Sequence, residues 1–354
     1  MALIKLNTRS IPDDAVTPAK VLMNLGRRNL IDNGDMQLAQ RASSQALTSG
    51  LYACDRFKLS YAGLDQWAGT MAQVADAPDG FSNSLKFTTT TVETALGTGE
   101  YAYFAQFVEA QNLQHLKFGS SSAQSLTVSF WVKSSLTGVF GQSLYTQDNN
   151  GMANATYTIN TANTWEYKTI TYAGDTSRGI NNDTGPGMRV IWALAAGTDL
   201  NSAPTNNAWE TYTDAKFNGG HVQNALLSTD NATIQFTGVQ LETGTVATDF
   251  EHRSIAEELA ACQRYYYVSG NTWVAGHAYG TGGSVDGFVT AYQFPAVMKS
   301  APSIAISGGT DGGSGASINT AHIRTDGFSL NIKSTNSVHN VWWSGFFVRA
   351  DCDF

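Results

Sequence analysis

The feature that most constrains this chain is a succession of short runs in which apolar and polar side chains alternate with a period of two. Ser125-Leu-Thr-Val-Ser-Phe-Trp-Val132 places Leu126, Val128, Phe130 and Val132 on one face. Thr164-Trp-Glu-Tyr-Lys-Thr-Ile-Thr171 alternates as well, anchored by Trp165, Tyr167 and Ile170. Met188-Arg-Val-Ile-Trp-Ala-Leu194 is a dense apolar run suited to a central strand, and Thr233-Ile-Gln-Phe-Thr-Gly-Val-Gln-Leu241 carries Gly238 where a bulge is expected. Gly/Asn/Asp clusters such as Asp148-Asn-Asn-Gly151 separate the runs. This pattern predicts antiparallel strands in a sandwich or barrel. Parallel sheets need intervening helices, and the region from Asn29 to Glu251 offers none.

One helix is predicted. Ser254 opens it and Glu257 completes a capping box, with Ile255, Leu259 and Cys262 forming one apolar stripe. Tyr265-Tyr-Tyr-Val268 then starts a strand, and residues 269–354 read as a second, glycine-richer β region. Gly280-Thr-Gly-Gly283 and Gly308–Gly315 are taken as surface loops there, and Asn340–Arg349 as an aromatic strand. Trp342 and Trp343, being adjacent, must face opposite sides of it. Residues 1–28 differ from the rest: Pro12 and Pro18 favour extended backbone before them, and Arg27-Arg28 closes the segment. The expected organisation is an arm at 1–28, a β-sandwich at 29–251, a connecting helix at 252–268 and a C-terminal β domain at 269–354.

Composition narrows the function. Lys plus Arg number 21 against 29 Asp plus Glu, a net charge of −8, without a basic cluster, which argues against phosphate-backbone binding and so against nucleic acid. The charged fraction is only 14%, and 17 Phe, 14 Tyr and 8 Trp supply the core of an ordered chain. No run is long and apolar enough to span a membrane, and the start lacks an apolar segment of signal-peptide length. Cys54, Cys262 and Cys352 have neither disulfide-framework nor zinc spacing and are expected to be reduced thiols.

Catalytic signatures are missing: there is no GxSxG, HExxH or GxxxxGK[ST], and the six histidines are dispersed. Asp249 and Glu251 share a face of an extended segment as glycosidase carboxylates would, but acids in a β protein form such pairs by accident. The positive signal is aromatic. Trp209 and Tyr212 lie in the polar segment 206–213, Trp273 follows Gly270-Asn-Thr, and Tyr279 and Trp342 lie in the C-terminal region. Flat ring faces beside Asn, Asp and Gln groups are what a sugar ring requires.

Four segments resemble bacteriophage tail fibres and related virion appendages. They are Ser10-Ile-Pro-Asp-Asp-Ala-Val-Thr-Pro-Ala-Lys20; Arg28–Arg41 with Tyr52-Ala-Cys-Asp-Arg-Phe57; Phe236–Arg253 leading into Cys-Gln-Arg-Tyr-Tyr266; and Phe294-Pro-Ala-Val-Met-Lys-Ser-Ala-Pro302. The resemblance implies a virion structural protein, typically a homotrimer, with a jelly roll similar to carbohydrate-binding modules. It implies that Ile11, Pro12, Asp13, Asp14 and Val16 dock the arm on other virion proteins, while the C-terminal region engages host surface polysaccharide. Such modules often hold a structural calcium, for which Asp32, Asp35 and Asp249 are the candidates; no other cofactor is expected. The alternatives are a glycan depolymerase and a decoration protein without a ligand.

Overall fold

The computed structural model describes residues 27–202, 207–277, 289–311, 316–334 and 340–354. The proposed docking residues Ile11, Pro12, Asp13, Asp14 and Val16, and the candidate contact Tyr279, lie outside them.

In chain order, the first strands are β1 (Ser44–Ala46), β2 (Lys58–Ala62), β3 (Ala68–Val74), β4 (Ser84–Thr91), β5 (Tyr101–Glu109), β6 (Leu126–Ser134) and β7 (Gly138–Thr146). They are followed by β8 (Gly151–Ile159), β9 (Glu166–Tyr172), β10 (Pro186–Ala196), β11 (Trp209–Thr211) and β12 (Thr233–Thr243). They form two six-stranded sheets, ordered β1-β3-β4-β12-β6-β9 and β11-β8-β7-β10-β5-β2. Neighbours pair antiparallel, and every connection crosses between the sheets except β3–β4, β7–β8 and β10–β11. The result is an antiparallel jelly-roll β-sandwich.

Alternation explains its core. Leu126, Val128, Phe130 and Val132 are all fully buried, as the period-two reading of β6 requires. Opposite them, the ring of Phe104 stacks on Trp192 at 5.0 Å and meets Phe236 at 4.6 Å, while Phe130 sets its edge to Trp192. Burying such rings contributes roughly 25 cal/mol per Å² of apolar surface removed from water. Gly238 performs as predicted: its φ is +60°, the β12–β6 register slips between Thr237 and Gln240, and an added Cβ would strike the Phe81 ring at 2.7 Å.

Helix α1 (Ala225–Ser228) is a single turn, and α2 (Ile255–Gln263) carries the predicted capping box from Ser254 to Glu257. The expected apolar stripe is buried only in part. Cys262 is buried and Leu259 half-buried, but Ile255 is 53% exposed and Glu258 is buried in its place. Tertiary partners reverse the preference, because the Glu258 carboxylate accepts the Asn33 backbone N–H and pairs with Arg253. On β9, Ile170 is buried but Tyr167 lies on the opposite, exposed face beside Trp131, since a spacing of three residues changes sides of a strand.

The remaining strands are β13 (Tyr266–Val268), β14 (Thr272–His277), β15 (Val289–Gln293), β16 (Ser303–Asp311), β17 (Ala316–Ala321), β18 (Gly327–Ser334) and β19 (Asn340–Asp351). β19 pairs with β13, β14 and β16; β18 lies between β15 and β17. Their buried centre is small, built around Phe328, Leu330, Phe346, Val348 and Met298. Gly308 and Gly309, read from sequence as loop, belong to β16. Both have positive φ, and a Cβ on Gly309 would overlap the Trp343 indole.

The chain's last residues tie these strands to the sandwich. Fully buried Arg56 pairs with Asp353 and Asp32 and lies over the Tyr265 ring. Arg264 grips Glu109 through two bonds of 2.6 and 2.8 Å, and the Tyr265 hydroxyl donates to the same carboxylate. Burial alone would raise the Glu109 pKa, but these donors outweigh it and hold it low.

Candidate functional site

Aromatic side chains reach the surface in two places, and in each the strand alternation decides which rings are free. In the C-terminal sheet, β14 and β19 pair Ala275 with Trp342 and Trp273 with Ser344. Trp273 and Trp342 are therefore diagonal neighbours on one face, about 7 Å apart by strand geometry. Trp343 turns the other way and packs on the core around Phe346. Gly345, with φ of +76°, introduces an irregularity after which Phe346 points inward and Phe347 outward. Trp273 is 65% exposed, Trp342 40% and Phe347 39%, so three large rings lie open on one sheet face. Arg349 follows two residues later on the same side and donates to the Ser307 hydroxyl. An apolar platform with polar neighbours suits the C–H face of a sugar ring.

The second place is the outer face of the sheet that contains β10. Tyr101, Tyr103 and Phe107 on β5, Arg189 on β10 and Tyr145 on β7 all point away from the sandwich core, the alternate residues Phe104, Val190 and Leu144 pointing in. Tyr101 stacks on Tyr103 at 5.7 Å, both meet Phe217 edge-on, Phe217 meets Tyr212, and Tyr212 meets Tyr145 at 5.2 Å. The rings enclose buried Met152 and Ile191, while Tyr101, Tyr145 and Tyr212 form a half-exposed rim. Burial pushes the Tyr101 and Tyr212 hydroxyls up, and for Tyr212 the neighbouring Asp214 carboxylate adds to the effect.

The sequence-selected residues separate accordingly. Trp273 and Trp342 come together. Tyr212 belongs to the second face, where its hydroxyl donates to Asp214 at 2.6 Å. Trp209 is half-buried against the sandwich, its indole N–H donating to the Ala173 carbonyl and its ring set edge-on to Phe118. Tyr101, Tyr103, Tyr145 and Arg189 were not among the residues picked from sequence. The alternation of Tyr101-Ala-Tyr103 with Phe107 was the available signal.

The carboxylates have structural partners. Glu251 accepts the backbone N–H groups of Arg28 and Asn29 at 3.0 and 2.8 Å and pairs with Arg253, which ties the start of the sandwich to its end. These donors hold its pKa low against burial. Of the calcium candidates, Asp32 already faces the guanidinium groups of Arg27, Arg56 and Arg253, while Asp35 accepts from Gln37 through one oxygen and its buried Oδ1 has no hydrogen-bond partner. Among the described residues no group of three or more His, Cys, Asp or Glu is placed to hold a metal ion, and no helix is long and apolar enough to cross a membrane.

No family model matches the chain, and no curated protein matches it. Among solved structures it is similar to the enzymatically active domain of tailspike protein 4 of bacteriophage CBA120, with 15% identity and a TM-score of 0.34. That match covers 61% of this chain and 21% of the tailspike chain. It is also similar to TmCBM61 in complex with β-1,4-galactotriose, with 14% identity and a TM-score of 0.27 over 61% of this chain and 99% of that one. A family 11 carbohydrate-binding module from Clostridium thermocellum, in complex with a mixed-linked tetrasaccharide, gives 12% identity and a TM-score of 0.28 over 60% and 99%. At such identities no residue's role passes from one chain to another.

Proposed function

We propose that this chain is a phage tail-fibre protein that attaches the particle to its host by binding surface glycans. The observation that carries this reading is the open face of Trp273, Trp342 and Phe347, which leaves three large rings in water on a chain otherwise well supplied with core. Exposed tryptophans with no folding role are typical of recognition surfaces. In this reading residues 1–28 anchor the chain to other virion proteins, the sandwich forms the body and residues 269–354 meet the host. Three copies associate. Low charge and unpaired strand edges favour a state in which copies cover one another, and several weak sugar sites then act together by effective concentration.

Two measurements test it. Size-exclusion chromatography with light scattering should give about three times the chain mass; a stable monomer contradicts the trimer. Incubation with host envelope polysaccharides should retain the glycan without releasing new reducing ends. Their release would make the chain a depolymerase instead.

A further inference from the structure

We propose that the outer face of the sandwich carries a second glycan site, specific for a carboxylate-bearing sugar, with Arg189 as its anchor and Lys58 as a flanking cation. The proposal rests on the glycan-binding reading and adds the chemical class of ligand. Its starting point is a cation without a counterion. Among the described residues, every arginine except Arg189 and Arg349 has a carboxylate within 4.0 Å. Arg349 is exposed at the edge of a sheet face. Arg189 is half-buried among rings: its guanidinium lies 4.6 Å from the Phe107 centroid and 5.6 Å from that of Tyr145, the two residues opposite it on the neighbouring strands.

Its hydrogen bonds are few and neutral. One terminal nitrogen donates to the Tyr103 hydroxyl at 3.1 Å, the other reaches the side-chain amide oxygen of exposed Gln147 at 3.5 Å, and buried Nε has no partner. A partly desolvated guanidinium without an anion is costly, and most of the described arginines avoid that cost by pairing with a carboxylate. The edge toward Gln147 is the open one. A planar guanidinium set against two rings offers a preorganised fork for a carboxylate, which a point charge does not.

Lys58 extends the same face. It is directly opposite Ala105, one inward-outward period from Phe107, with its ammonium 5.9 Å from the Phe107 ring, and it donates to a main-chain oxygen of Phe354, the last residue. Burial lowers its pKa and repulsion from Arg189 lowers it further, against the opposing pull of Asp353. An anion between the two cations would relieve that repulsion. The nearby acids do not fill the role: Glu210 pairs with Lys216, Asp214 accepts from Tyr212, and Asp353 is held by Arg56 and Arg41. The half-exposed rings of Tyr145 and Tyr212 beside Arg189 supply the apolar surface that a sugar ring needs and a bare anion does not.

The test is calorimetric titration of the full chain with oligogalacturonate, oligomannuronate and hyaluronan oligosaccharides, each beside its carboxyl-reduced form, with polyglycerol phosphate as a ring-free anion. At least one uronate should bind ten times or more tightly than its reduced form. R189Q should lose about tenfold or more of that binding, R189K should restore part of it, and K58Q should lose about threefold. Unchanged far-UV circular dichroism and thermal midpoint exclude misfolding, and K58Q remains informative if R189Q fails to fold. Equal binding of charged and reduced forms overturns the carboxylate assignment while leaving glycan binding intact. Preference for polyglycerol phosphate also overturns it. Binding to none of the probes overturns this site, whereas the reading based on Trp273 and Trp342 is judged on neutral glycans.

Discussion

The sandwich and the C-terminal sheets treat their tryptophans in opposite ways. Trp192 lies fully buried, stacked on Phe104 between two sheets whose inner faces interlock. Trp273 and Trp342 stand on a sheet with one small core beneath it and turn their rings to solvent. The same residue type therefore stabilises the fold in one region and stands open to solvent in the other. The difference comes from facing: Trp192 points between the two sheets of the sandwich, whereas Trp273 and Trp342 point away from the small core beneath them.

The sharpest way to break this contrast is by truncation. Phe104→Ala should destabilise the chain by about 3–5 kcal/mol, whereas Trp342→Ala should stay within about 0.5 kcal/mol, both read by urea unfolding. If Trp342→Ala costs as much as Phe104→Ala, its ring is core or interface and the contrast fails.

The join between the regions comes next. Asp353→Asn removes a partner from fully buried Arg56 and should cost about 3 kcal/mol or more. It should also part a single thermal transition into two, because the C-terminal strands then lose their hold on the sandwich. One unshifted transition would mean that other contacts carry the join.

A smaller effect separates the regions by pH. His221, buried beneath the sandwich's outer face, is held at about 4 by burial. Its Nδ1 accepts the Gly141 N–H and its Nε2 donates to the Gln223 carbonyl, an arrangement that needs the neutral ring. The unfolded chain takes up this proton near pH 6.5. Between roughly pH 6.5 and 4 the unfolded state therefore binds more protons than the native one, and stability falls as pH falls, by up to about 3 kcal/mol. His221→Gln should flatten that slope in chemical denaturation across this range. An unchanged slope would place the acid sensitivity elsewhere.

Much of the fold was legible because it depends on local rules. Alternation along Leu126–Val132, the Gly238 bulge and the Ser254–Glu257 capping box each follow from neighbouring residues alone. The rest depended on distant partners. Glu258 replaces Ile255 on the buried side of its helix because Asn33 and Arg253 satisfy its carboxylate from other parts of the chain. Gly308-Gly309 is strand rather than loop because the Trp343 indole needs the space. The aromatic rim escaped notice for another reason. β5 is apolar on both sides, with Phe104 facing in and Tyr103 out, and a period of two cannot say which side is the core.

The central claim is that open tryptophans on the C-terminal sheet bind sugar. It is tested most directly by titrating neutral and acidic surface polysaccharides against the intact chain and a Trp273→Ala/Trp342→Ala variant. The account predicts binding to at least one polysaccharide, weakened about tenfold or more in the variant while the unfolding midpoint stays in place. A variant that binds every such polysaccharide as well as the intact chain does would contradict it.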